Sequence, residues 1–453
     1  MTEPHAPNAS SALPSEPIDR LLQPLARFLH VEAAGGVLLL ACAALALALA
    51  NSPASEAYTA IWKTPVGFRL GAFEMVHSLQ HWINDGLMAI FFFVIGLEVK
   101  RELVLGELRD PRQAALPLAA ALGGMLVPAG IFLLLQQGEP GARGWGIPMA
   151  TDIAFVVGCL ALLGSRAPRA LRVLLLSLAI ADDIGAILVI AVGYTESLDI
   201  RWLLAGLLGL GFVHLLSRIG VRAIGVYILA GAPVWLAFHE SGVHATLVGV
   251  LLGLMTPCEA WVAHSRLGFS VERVGRYLKG ESWEGSGQRR VVLRELQAAA
   301  RETFSPLERI ETALHPWSSF AIMPIFALAN AGVALDPAAF AQPIAIAIAV
   351  GLLLGKPLGV VLFGAVAIRL GLAQLPEGVS WSVMLGAGWL AGIGFTMALF
   401  IAGLALEGPL LDAAKLGVLA ASLLAAAAGM LVLITTLPKR AASPSRPDGR
   451  YPQ

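Results

Sequence analysis

The chain has 453 residues, 57% of them hydrophobic and only 14% charged, where a soluble chain carries about 25% charged residues. Its 31 Lys and Arg balance 31 Asp and Glu, so no net positive charge invites nucleic acid, and the partner this composition implies is a lipid bilayer. Cys42, Cys159 and Cys258 lie far apart with no CxxC and no histidine at metal spacing, and they read as small apolar residues.

Residues 1–30 are rich in Pro, Ser and Ala and read as a disordered tail, apart from IDRLLQPLARFLHV, which has the pattern of an amphipathic surface segment. The first apolar run ends ALALALANS, which offers a cleavage site. About 30 polar residues precede it, however, and it exceeds the roughly 7–15 residues of a signal core, so it reads as the first membrane anchor. A window of about 19 residues places spans near 33–51, 80–97, 114–136, 146–164, 173–194 and 202–217, then 223–238, 243–256, 316–335, 341–368, 380–405 and 413–437. The expected fold is thus an all-α integral membrane protein of about twelve helices over 31–437, or ten or eleven if one of the short runs 223–238 and 243–256 is re-entrant. One cytoplasmic insert at 257–314 carries the helically periodic VVLRELQAAARETFSPLERIETAL, and a short basic tail spans 438–453.

Connections on one side hold Arg20, Arg27, Lys100, Arg101, Arg109, Arg112, Arg166, Arg169, Arg172, Arg218, Arg222, Arg369, Lys439 and Arg440. The other side has only Lys63, Arg69, Arg143, Arg201 and Lys415. The positive-inside rule therefore puts both termini in the cytoplasm.

The fourth run, GWGIPMATDIAFVVGCLALLG, carries Thr151 and Asp152 just after Pro148. The fifth, VLLLSLAIADDIGAILVIAVGY, has Asp182 and Asp183 at its centre, near the membrane midplane. On insertion scales each acid costs roughly 2.5–3.5 kcal/mol there, so the pair is expected to line a wet cavity and handle cations or protons. Adjacent helical positions differ by about 100° around the axis, so the expectation is that one carboxylate faces the cavity and the other a partner such as Lys356. Lys356 lies beside Pro357 in the tenth run with apolar residues on both sides, too deep to snorkel to the surface, and reads as a proton carrier or a counter-charge. In the eleventh run Gly386, Gly388, Gly392 and Gly394 lead up to Thr396.

Proline and clustered glycines loosen the helical ladder, so runs four and eleven are candidate discontinuous helices. They run antiparallel by the orientation above, as expected of equivalent helices in inverted-topology repeats. Asp152 would offset the positive ends of exposed half-helices. Protons and a small hard cation would compete for the acid oxygens, and such competition couples downhill proton entry to cation exit.

WINDGLMAIFFFVIGLEVKREL (82–103), GIPMATDIAFVVGCLALLGSRAP (146–168), LAIADDIGAILVI (178–190), SGVHATLVG (241–249), LHPW (314–317), FALANAGV (326–333), GKPLG (355–359) and GIGFTMALFIAGLA (392–405) follow one another in order. With these the chain resembles the bacterial sodium/proton antiporters of the NhaA type over about residues 20–438, a family that is itself an example of inverted-repeat transporters. The resemblance implies twelve helices, the fourth and eleventh discontinuous and crossing, and an inward-facing funnel. It implies Asp183 as principal sodium ligand, Asp182 as a proton-exchanging ligand paired with Lys356, and an oxygen from Thr151. Asp152 and Lys356 would compensate opposite partial charges at the break formed with Gly392, Gly394 and Thr396.

The resemblance also implies electrogenic export of Na+ and Li+ against H+ through the inner membrane, with no cofactor. It implies a pH-responsive mouth matching Glu98, Arg101 and Glu102, and a pH-linked histidine matching His244. The insert 257–314 departs from the short loop before LHPW found in some members of that family. Homodimers occur in this family through a hairpin between the first two helices, which residues 52–79 could supply.

A sodium-coupled solute symporter is the main alternative, but few intramembrane Asn, Gln, Tyr or Arg are available to hold an organic solute. A passive cation channel would favour rings of acids over a paired lysine. A membrane enzyme would need a Ser/His/Asp cluster, a histidine-based metal site or a phosphate loop, none of which the sequence displays.

Overall fold

The computed structural model describes residues 32–70, 73–195, 198–221, 224–258 and 303–438, together with residues 272, 291, 294, 296 and 297. The tail 1–30 with its amphipathic stretch, most of the insert 257–314 and nearly all of the tail 438–453 lie outside the described residues. So do Arg20, Arg27, Arg222, Lys439 and Arg440.

Large apolar side chains point outward all along the helices, for example Val192, Leu208, Leu229 and Leu423, while Asp152, Asp182, Asp183 and Lys356 are buried. That inversion is stable only where lipid covers the apolar exterior, so the chain is a multi-pass helical membrane protein. Among the described residues, seven helices are long and apolar enough to cross a bilayer, from Leu79–Val104 to Gly408–Thr436. Three further pairs are interrupted and bent: Ala34–Ala50 with Ser55–Lys63, Pro140–Met149 with Ile153–Arg166, and Trp381–Ala391 with Phe395–Ala405. Length and composition thus give seven to ten spans. The expected twelve is reached only by adding the shorter apolar helices Ile224–Glu240 and Thr246–Met255, which stand at runs seven and eight.

Several boundaries differ from expectation: the second span runs on to Val104 past 97, the fourth begins at Pro140 and the twelfth at Gly408, and the ninth differs most. The ninth span begins at Pro306, not 316, because Ser305 and Glu308 form a reciprocal capping box there. The amphipathic PLERIETAL stretch, assigned from its polarity to the insert, is the first turns of a spanning helix. Between the first two spans lies an antiparallel hairpin, Pro65–Leu70 with Phe73–Ser78, within the 52–79 segment considered for that role.

Close packing positions the central lysine. Gly123 of the Pro111–Leu135 helix and Gly359 of the Pro343–Arg369 span face each other so tightly that a Cβ on either would meet the other's backbone carbonyl oxygen. Just before Lys356 the span widens into a π-helical turn at Gly351–Gly355. Pro357 has no N–H to return to the Leu353 carbonyl, and the indole Nε1–H of Trp389 donates to it instead at 3.0 Å.

Candidate functional site

The two interrupted spans meet at their breaks. In the fourth, the 3-10 segment Pro140–Met149 ends and Ile153–Leu163 begins after the extended residues Ala150 to Asp152. In the eleventh, Trp381–Ala391 stops and Phe395–Ala405 starts after Gly392 to Gly394. Gly392 and Gly394 both have negative φ, so what requires glycine at 392 is space. A Cβ there would come within 2.5 Å of the Leu352 carbonyl oxygen.

Each helix end exposed by a break must find a partner in an apolar surrounding, and each partner is identifiable. Asp152 caps its own helix by accepting from Phe155 N–H at 3.3 Å. Its Oδ2 also accepts from Thr396 N–H, 3.0 Å away, and from the Thr396 hydroxyl. One carboxylate therefore serves two positive helix N-termini. Ser422 Oγ accepts the neighbouring Phe395 N–H at 3.1 Å, and Asp152 N–H donates to Ile393 O at 2.7 Å. At the opposite, carbonyl-rich end, the Lys356 ammonium donates to Met149 O.

Lys356 Nζ also lies 2.8 Å from Asp182 Oδ2, both side chains fully buried. The Thr151 hydroxyl has a single proton and two acceptors, Asp182 Oδ2 at 2.7 Å and Ala391 O at 2.8 Å, so it joins the acid to the C-terminal end of the other broken helix. Asp182 Oδ1 is buried with no hydrogen-bond partner. Among the described residues no hydrogen bond or ion pair forms on the Asp183 carboxyl, which stands in the field of Asp182, Glu98 and Asp152 with Lys356 opposing. Three buried acids against one buried lysine leave acceptor oxygens without donors. Such a site suits a small hard cation or protons.

Thr151, Asp152, Asp182, Asp183, Lys356 and Thr396 therefore converge. Gly392 and Gly394 form the break itself and Glu98 reaches Asp183 through its charge, whereas Arg101, Glu102 and His244 stand outside the cluster. Glu102 is buried and its Oε1 accepts from Ser177 Oγ at 3.3 Å and from Glu107 N–H at 3.0 Å. Ser177 precedes Asp182 on the same helix by about 8 Å along the axis. Arg101 pairs with Glu311 of the ninth span. Glu311 was missed because its stretch reads as a solvated face; the position of Arg101 one turn beyond Glu98 was the available hint. His244 lies beyond the other end of the Arg169–Gly193 helix, its Nε2 3.0 Å from the Tyr194 carbonyl oxygen, roughly 18 Å along the axis from Asp182.

Residues 26–433 match the family described as Na+/H+ antiporter 1. Among similar proteins, the Na(+)/H(+) antiporter NhaA of Rhodopirellula baltica is 56% identical, over 94% of this chain and 97% of its own length. That of Rhizobium meliloti is 55% identical over 95% and 99%, and NhaA 3 of Acidiphilium cryptum is 49% identical over the full length of both chains.

Proposed function

This chain belongs to the Na+/H+ antiporter 1 family, and from that membership we propose that it exports sodium across the bacterial inner membrane in exchange for protons. The observation that carries the reading is Asp182 Oδ1, buried without a hydrogen-bond partner, next to the Asp183 carboxyl and the fully buried Lys356. Asp183 is the principal cation ligand and Asp182 exchanges a proton as its contact with Lys356 is made and released. Thr151 supplies a neutral oxygen, and Asp152 with Lys356 balances the helix ends of the break.

Two carboxyls can load two protons where one monovalent cation replaces them, so the exchange is electrogenic, and lithium, another small hard cation, is accepted. Arg101 with Glu311, together with Glu98 and Glu102, forms the pH-responsive cytoplasmic mouth, with His244 acting from the opposite end. Both termini are cytoplasmic, by the distribution of Lys and Arg. The 65–78 hairpin contributes to a homodimer.

Everted vesicles carrying a proton gradient test this function. Sodium or lithium should collapse the gradient with wild-type protein and leave it intact with Asp183→Asn. A gradient that survives sodium at every pH from neutral to alkaline, yet falls when an organic solute is added, contradicts the reading in favour of solute transport. A capacitive current on sodium addition to protein on a solid-supported membrane tests electrogenicity, and zero charge movement rules it out.

A further inference from the structure

Far from the acid pair, at the end of the Leu79–Val104 span that begins the helix, three imidazoles converge. His77 is the penultimate residue of the second strand of the hairpin, His81 sits in the first turn of the span, and His239 lies in the last turn of Ile224–Glu240. One ring nitrogen from each lies within 4.8 Å of the others. His77 and His81 stack at 4.3 Å between centroids, and His239 stands edge-on to both at 5.4 and 5.6 Å.

Aromatic packing accounts for part of this. Trp82 stacks on Trp235, and Trp235 on His239. Stacking does not account for the direction of the nitrogens. The His81 side chain is 38% exposed, yet its Nε2 is turned out of solvent and makes no hydrogen bond, although an exposed imidazole could easily have satisfied that atom with water. Nor does packing explain the carboxylate. Asp85 Oδ2 lies 3.6 Å from His81 Nε2 and 3.5 Å from His239 Nδ1. Both separations are near the roughly 3.3–3.4 Å between ligand atoms that bond lengths of about 2.0–2.1 Å produce in a tetrahedral site, although Asp85 is not among the ligand atoms that lie mutually within 4.8 Å, so its carboxylate must move toward His77 to complete the set. Imidazole nitrogens with one carboxylate oxygen suit a borderline divalent ion and not Mg2+ or Ca2+, which take oxygen ligands.

We infer that His77, His81 and His239, with Asp85 as fourth ligand, form a binding site for a divalent transition-metal ion of the Zn2+ class, separate from the sodium/proton pathway. This corrects the reading that no histidine stands at metal spacing: His77, His81 and Asp85 follow one another at i,i+4, and only His239, more than 150 residues away, is hidden from the sequence. Bound metal ties the hairpin to two spans that are distant in sequence, so it acts as a clip on this end of the molecule and stabilises the folded chain by mass action.

The test uses full-length protein freed of any affinity tag, dialysed against Zn2+ with Mg2+ as control and counted by elemental analysis. The expected result is one Zn2+ retained per chain, a rise in thermal midpoint with Zn2+ and none with Mg2+, and the intense visible bands of tetrahedral Co2+ on substitution. His239→Gln and His81→Gln should lose retention at least tenfold while keeping sodium/proton exchange, and Asp85→Asn should weaken it less. Wild-type protein that retains no Zn2+ above the Mg2+ control overturns the inference, whatever the variants do. So does Zn2+ retention unchanged in His239→Gln.

Discussion

Asp152 and Thr396 belong to different interrupted helices, yet Oδ2 of the one accepts both the backbone N–H and the hydroxyl of the other. The two breaks are thereby one hydrogen-bonded unit, and the geometry around the acid pair depends on it. Thr396→Val keeps the side-chain shape but removes the hydroxyl donor. A hydrogen bond to a charged group is worth about 1.5–3 kcal/mol, so thermal unfolding of purified protein should show a loss of that order, with Thr396→Ser near wild type. Equal stability of the Val and wild-type proteins contradicts the role given to this bond.

Lys356 and Asp182 form a fully buried ion pair, and removing one partner strands the other. Lys356→Met should therefore destabilise by about 3–5 kcal/mol. Asp182→Asn in the same chain should recover much of that loss, a coupling that a double-mutant cycle reads directly. Additive effects of the two substitutions would mean that the pair does not hold in the membrane-embedded protein.

Trp389 fills a backbone acceptor left vacant by Pro357, so Trp389→Phe leaves the Leu353 carbonyl short of a donor in a helix already widened by its π turn. The expected cost is about 1–3 kcal/mol of stability. It should come with reduced exchange at unchanged expression, because the disturbance lies one turn from Lys356. Full activity with full stability in this variant would show that the indole bond is dispensable.

On the proposed function, sodium and protons occupy the same oxygens and must compete. Lowering the pH by one unit should raise the sodium concentration for half-maximal exchange by up to about tenfold per proton displaced. Initial rates in proteoliposomes across the active pH range measure this, and a half-maximal concentration independent of pH contradicts competition at a shared site.

The proposed exchange site was legible because charge in an apolar run is costly and therefore conspicuous: Asp152, Asp182, Asp183 and Lys356 stand out before any fold is known. The 100° step between adjacent residues was enough to expect that one aspartate would face Lys356, and it is Asp182 that does so. The spans with long apolar runs were legible for the same reason. What escaped are features whose signal is ordinary. Glu311 sits in a capped amphipathic stretch that looks solvated, so neither its ion pair with Arg101 nor the start of the ninth helix was visible. The π turn at Gly351–Gly355 depends on packing against Pro128 and Pro148, which periodicity does not encode. The three histidines meet only because two helices far apart in sequence end at the same level.

The most direct test of the shared site is proton release on sodium binding. Purified protein in weak buffer at alkaline pH should release protons when Na+ is added, and Asp183→Asn and Asp182→Asn should each abolish or reduce the release. Sodium binding by wild-type protein with no proton released, or release undiminished in both variants, would place the exchange somewhere other than this pair.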